Sequence, residues 1–162
     1  MKAQAIQAKI TMKKIKVCLV FALLGVLLLG GCASKPFTNP FASTPKVKVV
    51  YHVNTDVNTA PAILNNIRSH LSADPKATIV VVTHGPGINF LLLDAKDSQG
   101  REFSNAVSDL ANLGVDFRVC NNTLMSRQIS PNRLLPESRI VPSGLAEVAR
   151  LQAEEGYVYL KP

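Results

Sequence analysis

Hydrophobic residues after position 46 follow two patterns, one typical of strands and one typical of amphipathic helices. The run Thr78–Thr83 is almost wholly β-branched, as expected for a strand that is covered on both faces of a parallel sheet. In the segment before it, Ile63, Leu64, Ile67 and Leu71 recur at helical spacing. Together these two segments predict a strand preceded by a helix.

The same alternation continues to the end of the chain. It predicts a three-layer α/β/α domain over residues 47–162, with a mainly parallel five-stranded sheet, a flavodoxin-like arrangement and right-handed crossovers. The strand order cannot be read from the sequence. The predicted strands are 47–53, 78–83, 115–120, 139–142 and 157–160, and the predicted helices begin near Asn58 or Thr59, near Phe103, near Asn122 and after Ser143.

The first 31 residues have the three parts of a secretory signal peptide: lysines, then an apolar run over 17–29, then small residues. This run is shorter than the roughly 20 residues that cross a bilayer as a permanent helix. It closes on Leu29-Gly30-Gly31-Cys32, which resembles the bacterial lipobox. We therefore expect residues 1–31 to be removed and Cys32 to carry a lipid. An ordinary signal or an uncleaved anchor beside an incidental cysteine is the alternative.

Residues 32–46 are rich in serine, threonine, asparagine and proline, which predicts a flexible tether between the lipid and the domain. A lipidated protein of this kind is expected in the cell envelope, facing the periplasm. Because Ala33 and Ser34 follow Cys32 without an aspartate, the outer membrane is favoured in a cell that has one.

The formal charge of +7 does not indicate a nucleic-acid partner. Five of the eighteen basic residues and none of the eleven acidic ones precede Cys32, so the remaining chain carries only +2. Its charges are interspersed in sign, whereas nucleic-acid binding requires clustered cations.

Cys120 is predicted to be the only free thiol after export, since Cys18 leaves with the signal and Cys32 is lipidated. It ends the third predicted strand, at the sheet edge where ligands collect, and a helix follows it. A helix N-terminus favours a thiolate, and either Arg118 or Arg127 can add to this effect. The alternative is a buried, inert cysteine. The candidate ligand contacts after it are Asn121, Asn122 and Thr123.

A second candidate lies at the end of the strand 78–83, in the run His84-Gly85-Pro86-Gly87. Glycine amides at Gly85 and Gly87 can turn toward an anion, and His84 can exchange a proton. A tight turn with a hydrogen-bonded histidine is the alternative. His52 is expected near the same edge, and His70 on a solvated helix face without a chemical role.

Other chemistries lack their residues. Three scattered histidines and one thiol give no zinc-ligand spacing, and neither GxGxxG nor GxxxxGK[ST] occurs. We therefore predict neither a metal nor a cofactor.

Taken together, several segments of residues 47–162 resemble the DsrE/DsrF-like proteins of sulfur relay and sulfur oxidation. The resemblance rests on their order and spacing. The segments are Val49-Val50-Tyr51-His52, Asn65-Asn66-Ile67, the run 80–87, the run 117–124, Val141-Pro142-Ser143-Gly144, and Leu151-Gln152 through Gly156-Tyr157.

The resemblance implies that Cys120 carries a persulfide and exchanges sulfane sulfur with a thiol donor or acceptor, as a sulfurtransferase or sulfur carrier. It also implies a homo-oligomer, either a trimer or a hexamer. Best-known members of the family are cytoplasmic, so an exported form is expected to handle periplasmic sulfur rather than tRNA. The alternatives are a noncatalytic binding or assembly lipoprotein with the same fold, and capture of a small anion or nucleotide at the His84 loop.

Overall fold

A five-stranded, all-parallel sheet organises residues 45–162, the part of the chain that the computed structural model describes. The predicted α/β fold class is confirmed. The strands are β1 (Lys48–Val53), β2 (Thr78–Thr83), β3 (Asp116–Cys120), β4 (Ser138–Val141) and β5 (Val158–Leu160). The helices are α1 (Ala60–Ala73), α2 (Ser104–Asn112), α3 (Asn121–Ser126) and α4 (Gly144–Glu155), and 3₁₀ turns cover Val57–Thr59, Gly85–Leu91 and Pro131–Arg133.

The strand order is β4-β3-β2-β1-β5, so the chain reverses direction once. Three connections step across the sheet from β1 to β4, and the connection through α4 returns to the opposite edge. Right-handed crossovers require a connection that runs backwards to lie on the other face. The strand order of flavodoxin is 2-1-3-4-5. The edge position beside the first strand is occupied by the second strand in flavodoxin and by the last strand, β5, in this protein.

Alternate residues of the central strands face two separate cores, which is why every residue of β2 between its terminal threonines is apolar. The larger core packs one face of the sheet against α1, α2 and α3. The smaller core packs the other face against α4, and its members are Val50, Val80, Val82, Val148, Leu151 and Tyr157. The two cores make the molecule three layers deep.

The ends of α4 follow from local chemistry. The Ser143 hydroxyl accepts a hydrogen bond from the Ala146 amide at 3.4 Å, and Gly156 ends the helix in the left-handed conformation with φ of 72°. The predicted start of this helix at Ser143 is therefore correct. The apolar residues Ile88, Phe90 and Leu91 lie in the 3₁₀ turn Gly85–Leu91 and are buried.

The predicted signal peptide (1–31), Cys32 and most of the predicted tether (32–46) lie outside the described residues. Pro45 and Lys46, the last two residues of that tether, are exposed and outside regular secondary structure. Within residues 45–162, no helix is both long and apolar enough to span a bilayer.

A buried ion-pair network fastens α4 to the sheet. Arg118 on β3 donates two hydrogen bonds to Asp116 at 2.7 and 2.9 Å and a third to Glu147 on α4. Arg150 also donates to Glu147, at 2.8 and 3.1 Å. The hydrogen bond from Arg150 lowers the pKa of Glu147; burial raises it, and Arg118 lowers it further, with a net lowering.

Glu147→Gln should destabilise the fold by about 2 kcal/mol at pH 7, because it leaves the buried Arg118 with one carboxylate instead of two. Since the pKa of Glu147 is depressed in the folded chain, its contribution is present above its unfolded pKa of about 4.3 and is lost as pH falls through the folded value. Denaturant unfolding of the full chain at pH 7 and pH 3 measures both effects.

Glu154→Gln is the matched control, since Glu154 lies on the same helix, pairs with Arg150 at 3.6 Å and is 66% exposed. It should change stability by less than about 0.5 kcal/mol. Equal losses in the two variants would contradict the role assigned to Glu147.

Candidate functional site

The sheet has a topological switch point between β3 and β4. After β3 the chain enters α3, which packs in the larger core through Leu124, whereas after β4 it enters α4 on the opposite face. Connections that part in this way leave a crevice beyond the carboxyl ends of the two strands. Cys120, paired in register with Val141, stands at that crevice.

The Cys120 thiol is 5% exposed, yet its surroundings are polar. Burial alone would raise the pKa of the thiol, but the Gly144 amide, the Thr123 hydroxyl and the amides of Thr123 and Asn122 act on the sulfur as hydrogen-bond donors. The net result is a pKa below the ordinary value. The lowered pKa makes the thiolate easier to form than in an ordinary cysteine, although the residue is almost fully buried.

Thr123 links the cysteine to the glycine turn after β2. Its hydroxyl oxygen accepts a hydrogen bond from the Gly85 amide at 2.9 Å while the hydroxyl acts on the Cys120 sulfur. The Gly87 amide donates to the His84 carbonyl at 3.0 Å. Both glycine amides, expected to bind a ligand, thus have partners inside the protein.

Gly87 is glycine because backbone atoms approach it closely, and Gly144 is tightly enclosed by its neighbours. A Cβ on Gly87 would lie 2.3 Å from the carbonyl oxygen of Val53. A Cβ on Gly144 would lie 3.2 Å from the Cβ of Cys120 and 3.3 Å from that of His84. Cys120 and His84 are therefore neighbours across Gly144.

His84 and His52 lie together at the carboxyl edge of the sheet, as expected; this edge, with Cys120, is called the rim below. Their Nε2 atoms are 2.7 Å apart and their rings stack with centroids 4.9 Å apart, while His52 Nδ1 lies 2.9 Å from the Tyr159 hydroxyl. Burial lowers the pKa of both histidines, and the positive charge of Lys161 lowers it further. For His52, the neighbouring His84 adds to this lowering. Both imidazoles are therefore neutral near pH 7.

His70, expected on a solvated helix face, is half-buried instead. Its Nδ1 lies 2.9 Å from the Tyr51 hydroxyl, with the rings tilted at 57°. The pair lies on the face of the larger core, to which Tyr51 belongs, and so on the side of the sheet opposite α4. His70 therefore supports packing away from Cys120.

The two arginines expected to favour the thiolate have other partners. Arg118 is engaged by Asp116 and Glu147, and Arg127 donates to the Gly85 carbonyl at 3.1 Å and to Asn89 at 2.8 Å. Neutral donors, rather than these cations, lower the pKa of Cys120.

The remaining predicted contacts lie in the first turn of α3. Asn121 is half-buried and its amide donates to the Met125 sulfur at 3.4 Å, while the Asn122 side chain is exposed and its backbone amide serves the Cys120 sulfur. The binding of a substrate by these residues stays a prediction. Gly144, Tyr159 and Lys161 were not predicted as site residues. The only signal for Gly144 was its place in the segment 141–144.

A groove of about 770 Å³ lies between α1 and α2, and its lining contains no residue of the cysteine rim. Within residues 45–162, no group of three histidine, cysteine, aspartate or glutamate side chains is placed to hold a metal ion.

Residues 37–162 match the sequence profile of the DsrE/DsrF-like family, so the match begins within the predicted tether. No curated protein matches the chain. The structure is similar to that of a protein of unknown function, MTH1491, from Methanobacterium thermoautotrophicum, with 30% identity, a TM-score of 0.65 and coverage of 72% of this chain and 100% of that one. It is also similar in fold to the ychN protein from E. coli, with 14% identity, a TM-score of 0.57 and coverage of 74% and 100%.

Thr123→Val should slow alkylation of Cys120 by iodoacetamide at pH 7 about tenfold, because the thiolate loses a hydroxyl donor. The pH dependence of the alkylation rate, followed by peptide mass spectrometry, should show a raised pKa for Cys120. Thr123→Ser keeps the hydroxyl and should behave as the wild type. Ser126→Ala removes a hydroxyl of the same helix that donates to the Thr123 carbonyl, and it should also leave the rate unchanged. An unaltered rate in Thr123→Val would refute the role of the hydroxyl.

Proposed function

The chain belongs to the DsrE/DsrF-like family, which is associated with sulfur relay, and on this premise we propose that it binds or transfers sulfur through a persulfide on Cys120. We further propose that it does so as a lipid-anchored protein on the periplasmic side of the cell envelope. The sulfur comes from a sulfane sulfur donor and leaves to a thiol acceptor.

The observation that carries this proposal is the set of donors around the Cys120 sulfur. A buried cysteine among hydrocarbon side chains is inert, whereas here donors on α3 and at the start of α4 converge on the sulfur. A persulfide anion has its charge on the outer sulfur and benefits from the same kind of polar surroundings. The site thus favours the Cys120 thiolate before sulfur transfer and gives polar surroundings to the Cys120 persulfide after it.

The transfer itself is a thiol exchange. The Cys120 thiolate attacks the outer sulfur of a donor persulfide, a new S–S bond forms, the S–S bond of the donor breaks, and the donor leaves as a thiolate. No net oxidant is consumed, because the sulfane sulfur keeps its oxidation state while it changes partners. The acceptor thiolate later repeats the same step on the Cys120 persulfide.

The 5% exposure of Cys120 favours a second candidate, a noncatalytic binding or assembly lipoprotein that keeps the fold. The two candidates differ in access to the sulfur. Leu145, which follows Gly144, is 59% exposed, and Asn122 is also exposed, so residues that border the cysteine reach solvent. If the second candidate holds, a disulfide probe such as DTNB reacts with Cys120 only after denaturation.

The proposed location rests on the sequence before residue 47, and the proposed assembly rests on the family resemblance. Lipidation at Cys32 is expected to hold the protein on a membrane, with the outer membrane favoured, and the tether lets the domain face the periplasm. Within that setting we propose a homo-oligomer, a trimer or a hexamer, as the family resemblance implies. Neither nucleic acid nor a cofactor is part of the proposal.

Incubation of the full chain with a sulfane sulfur donor should add the mass of one sulfur atom at Cys120. Because Cys18 and Cys32 are also present in the full chain, the mass is measured on the peptide that contains Cys120. A reducing thiol should remove the added mass, as expected for a persulfide.

Cys120→Ser is the direct control and should lose the added sulfur, while Cys18→Ser should keep it. Absence of sulfur from the wild-type Cys120 peptide, together with DTNB reaction only after denaturation, would support the noncatalytic candidate and exclude the sulfur-carrier function.

Lipidation is tested by growth of the expressing bacterium on labelled palmitate. The chain should take up the label and Cys32→Ala should not, because the acyl chains are attached at this residue. Cys18→Ala alters a cysteine of the same predicted signal region and should remain labelled. Equal labelling of Cys32→Ala and the wild type would exclude Cys32 as the anchor.

A further inference from the structure

Three side chains from three strands form a continuous hydrogen-bonded chain on the rim. His84 Nε2, just after β2, lies 2.7 Å from His52 Nε2 on β1, and His52 Nδ1 lies 2.9 Å from the Tyr159 hydroxyl on β5. A hydrogen bond between two imidazole nitrogens requires one donor and one acceptor. With both rings neutral, one histidine carries its proton on Nε2 and the other on Nδ1.

Both possible tautomer pairs keep the same two contacts. In the first pair, His84 donates from Nε2 and His52 donates from Nδ1 to the Tyr159 oxygen. In the second pair, His52 donates from Nε2 to His84 and accepts from the Tyr159 hydroxyl at Nδ1. The two pairs differ only in the position of the protons, so a proton can cross the chain without movement of heavy atoms.

The two ends of this chain lie in different surroundings. At one end, the Cβ atoms of His84 and Cys120 both lie against Gly144, and because His84 Nε2 contacts His52, Nδ1 is the ring nitrogen left for exchange. At the other end, Tyr159 is 39% exposed. The chain therefore joins the neighbourhood of the sulfur to solvent.

We propose that His84, His52 and Tyr159 form a proton relay between the sulfur site at Cys120 and solvent. This inference rests on the proposed function and adds to it the path by which the proton of the thiol is exchanged. His84 exchanges the proton with the sulfur site, and His52 and Tyr159 carry it onward.

Each step conserves protons. As the Cys120 thiol becomes a thiolate, His84 Nδ1 accepts its proton, and the proton on His84 Nε2 moves to His52 Nε2. The proton on His52 Nδ1 moves to the Tyr159 oxygen, and the original hydroxyl proton leaves to water. When the donor thiolate departs after sulfur transfer, the reverse sequence delivers one proton to it. One proton crosses in each direction and the histidines return to their starting tautomers.

The charged groups around the relay favour the neutral form of His52 and His84 over the protonated imidazolium form. Lys161, which follows β5, is the cation that acts on both rings. The first ionisable side chain of α4, Glu147, is held by Arg118 and Arg150, and Arg127 is held at the Gly85 carbonyl. No carboxylate is hydrogen-bonded to either histidine, so the relay passes a proton without holding it.

His52→Gln tests the relay because a glutamine amide keeps an acceptor and a donor but does not tautomerise to pass a proton. In a stopped-flow measurement of sulfur uptake from a small persulfide at pH 7 in dilute buffer, this variant should load Cys120 about tenfold more slowly than the wild type. Added imidazole should restore the rate in the variant and have little effect on the wild type. Tyr159→Phe, which removes only the outlet hydroxyl, should also be slowed and restored.

His70→Gln and Tyr51→Phe are matched controls, since they alter a histidine–tyrosine pair of the same 2.9 Å length on the opposite face of the sheet. Both should load sulfur at the wild-type rate without a response to imidazole. Loading of His52→Gln at the wild-type rate, or slow loading that imidazole does not restore, would overturn the relay alone. A wild type that takes up no sulfur would overturn the proposed function as well, so the two failures are distinguishable.

Discussion

The structure depends on one constraint: a sulfur atom that is nearly buried can be anionic only if hydrogen-bond donors replace the water that it has lost. Donors converge on Cys120 because β3 and β4 send their following helices to opposite faces of the sheet. The reversal of the chain at α4 is what brings the Gly144 amide to the sulfur. Fold topology and thiol chemistry are thus two results of the same crossover.

The ion-pair network below α4 serves this constraint from a distance. Arg118 ties β3 to Glu147 on α4, and Cys120 lies two residues beyond Arg118 on the same strand. Because the side chains of both residues point to the face covered by α4, the network fixes the distance between the helix and the strand that carries the sulfur. The ion pairs of Arg118 and Glu147 position α4, whereas neutral hydrogen-bond donors stabilise the Cys120 thiolate.

Periodicity was enough to predict the elements but not the contacts between their ends. The β-branched run of β2 and the Ser143 cap of α4 are local properties, and they were predicted almost to the residue. The place of Cys120 at a strand end was predicted for the same reason. The pairing of His52 with Tyr159 joins residues 107 positions apart, and the tight space around residue 144 is set by atoms distant from it in sequence. Arg118 was misjudged because its carboxylate partner on α4 is also distant in sequence.

β5 completes the rim although it is the last strand of the sheet and only three residues long. The other groups at this edge come from β1, the end of β2, β3 and α4, and Tyr159 meets His52 only when β5 pairs with β1. A nascent chain therefore contains the cysteine well before it contains the outlet at Tyr159. The connection of the thiol to water is therefore completed last, when residues 158–160 have left the ribosome and joined the edge of β1.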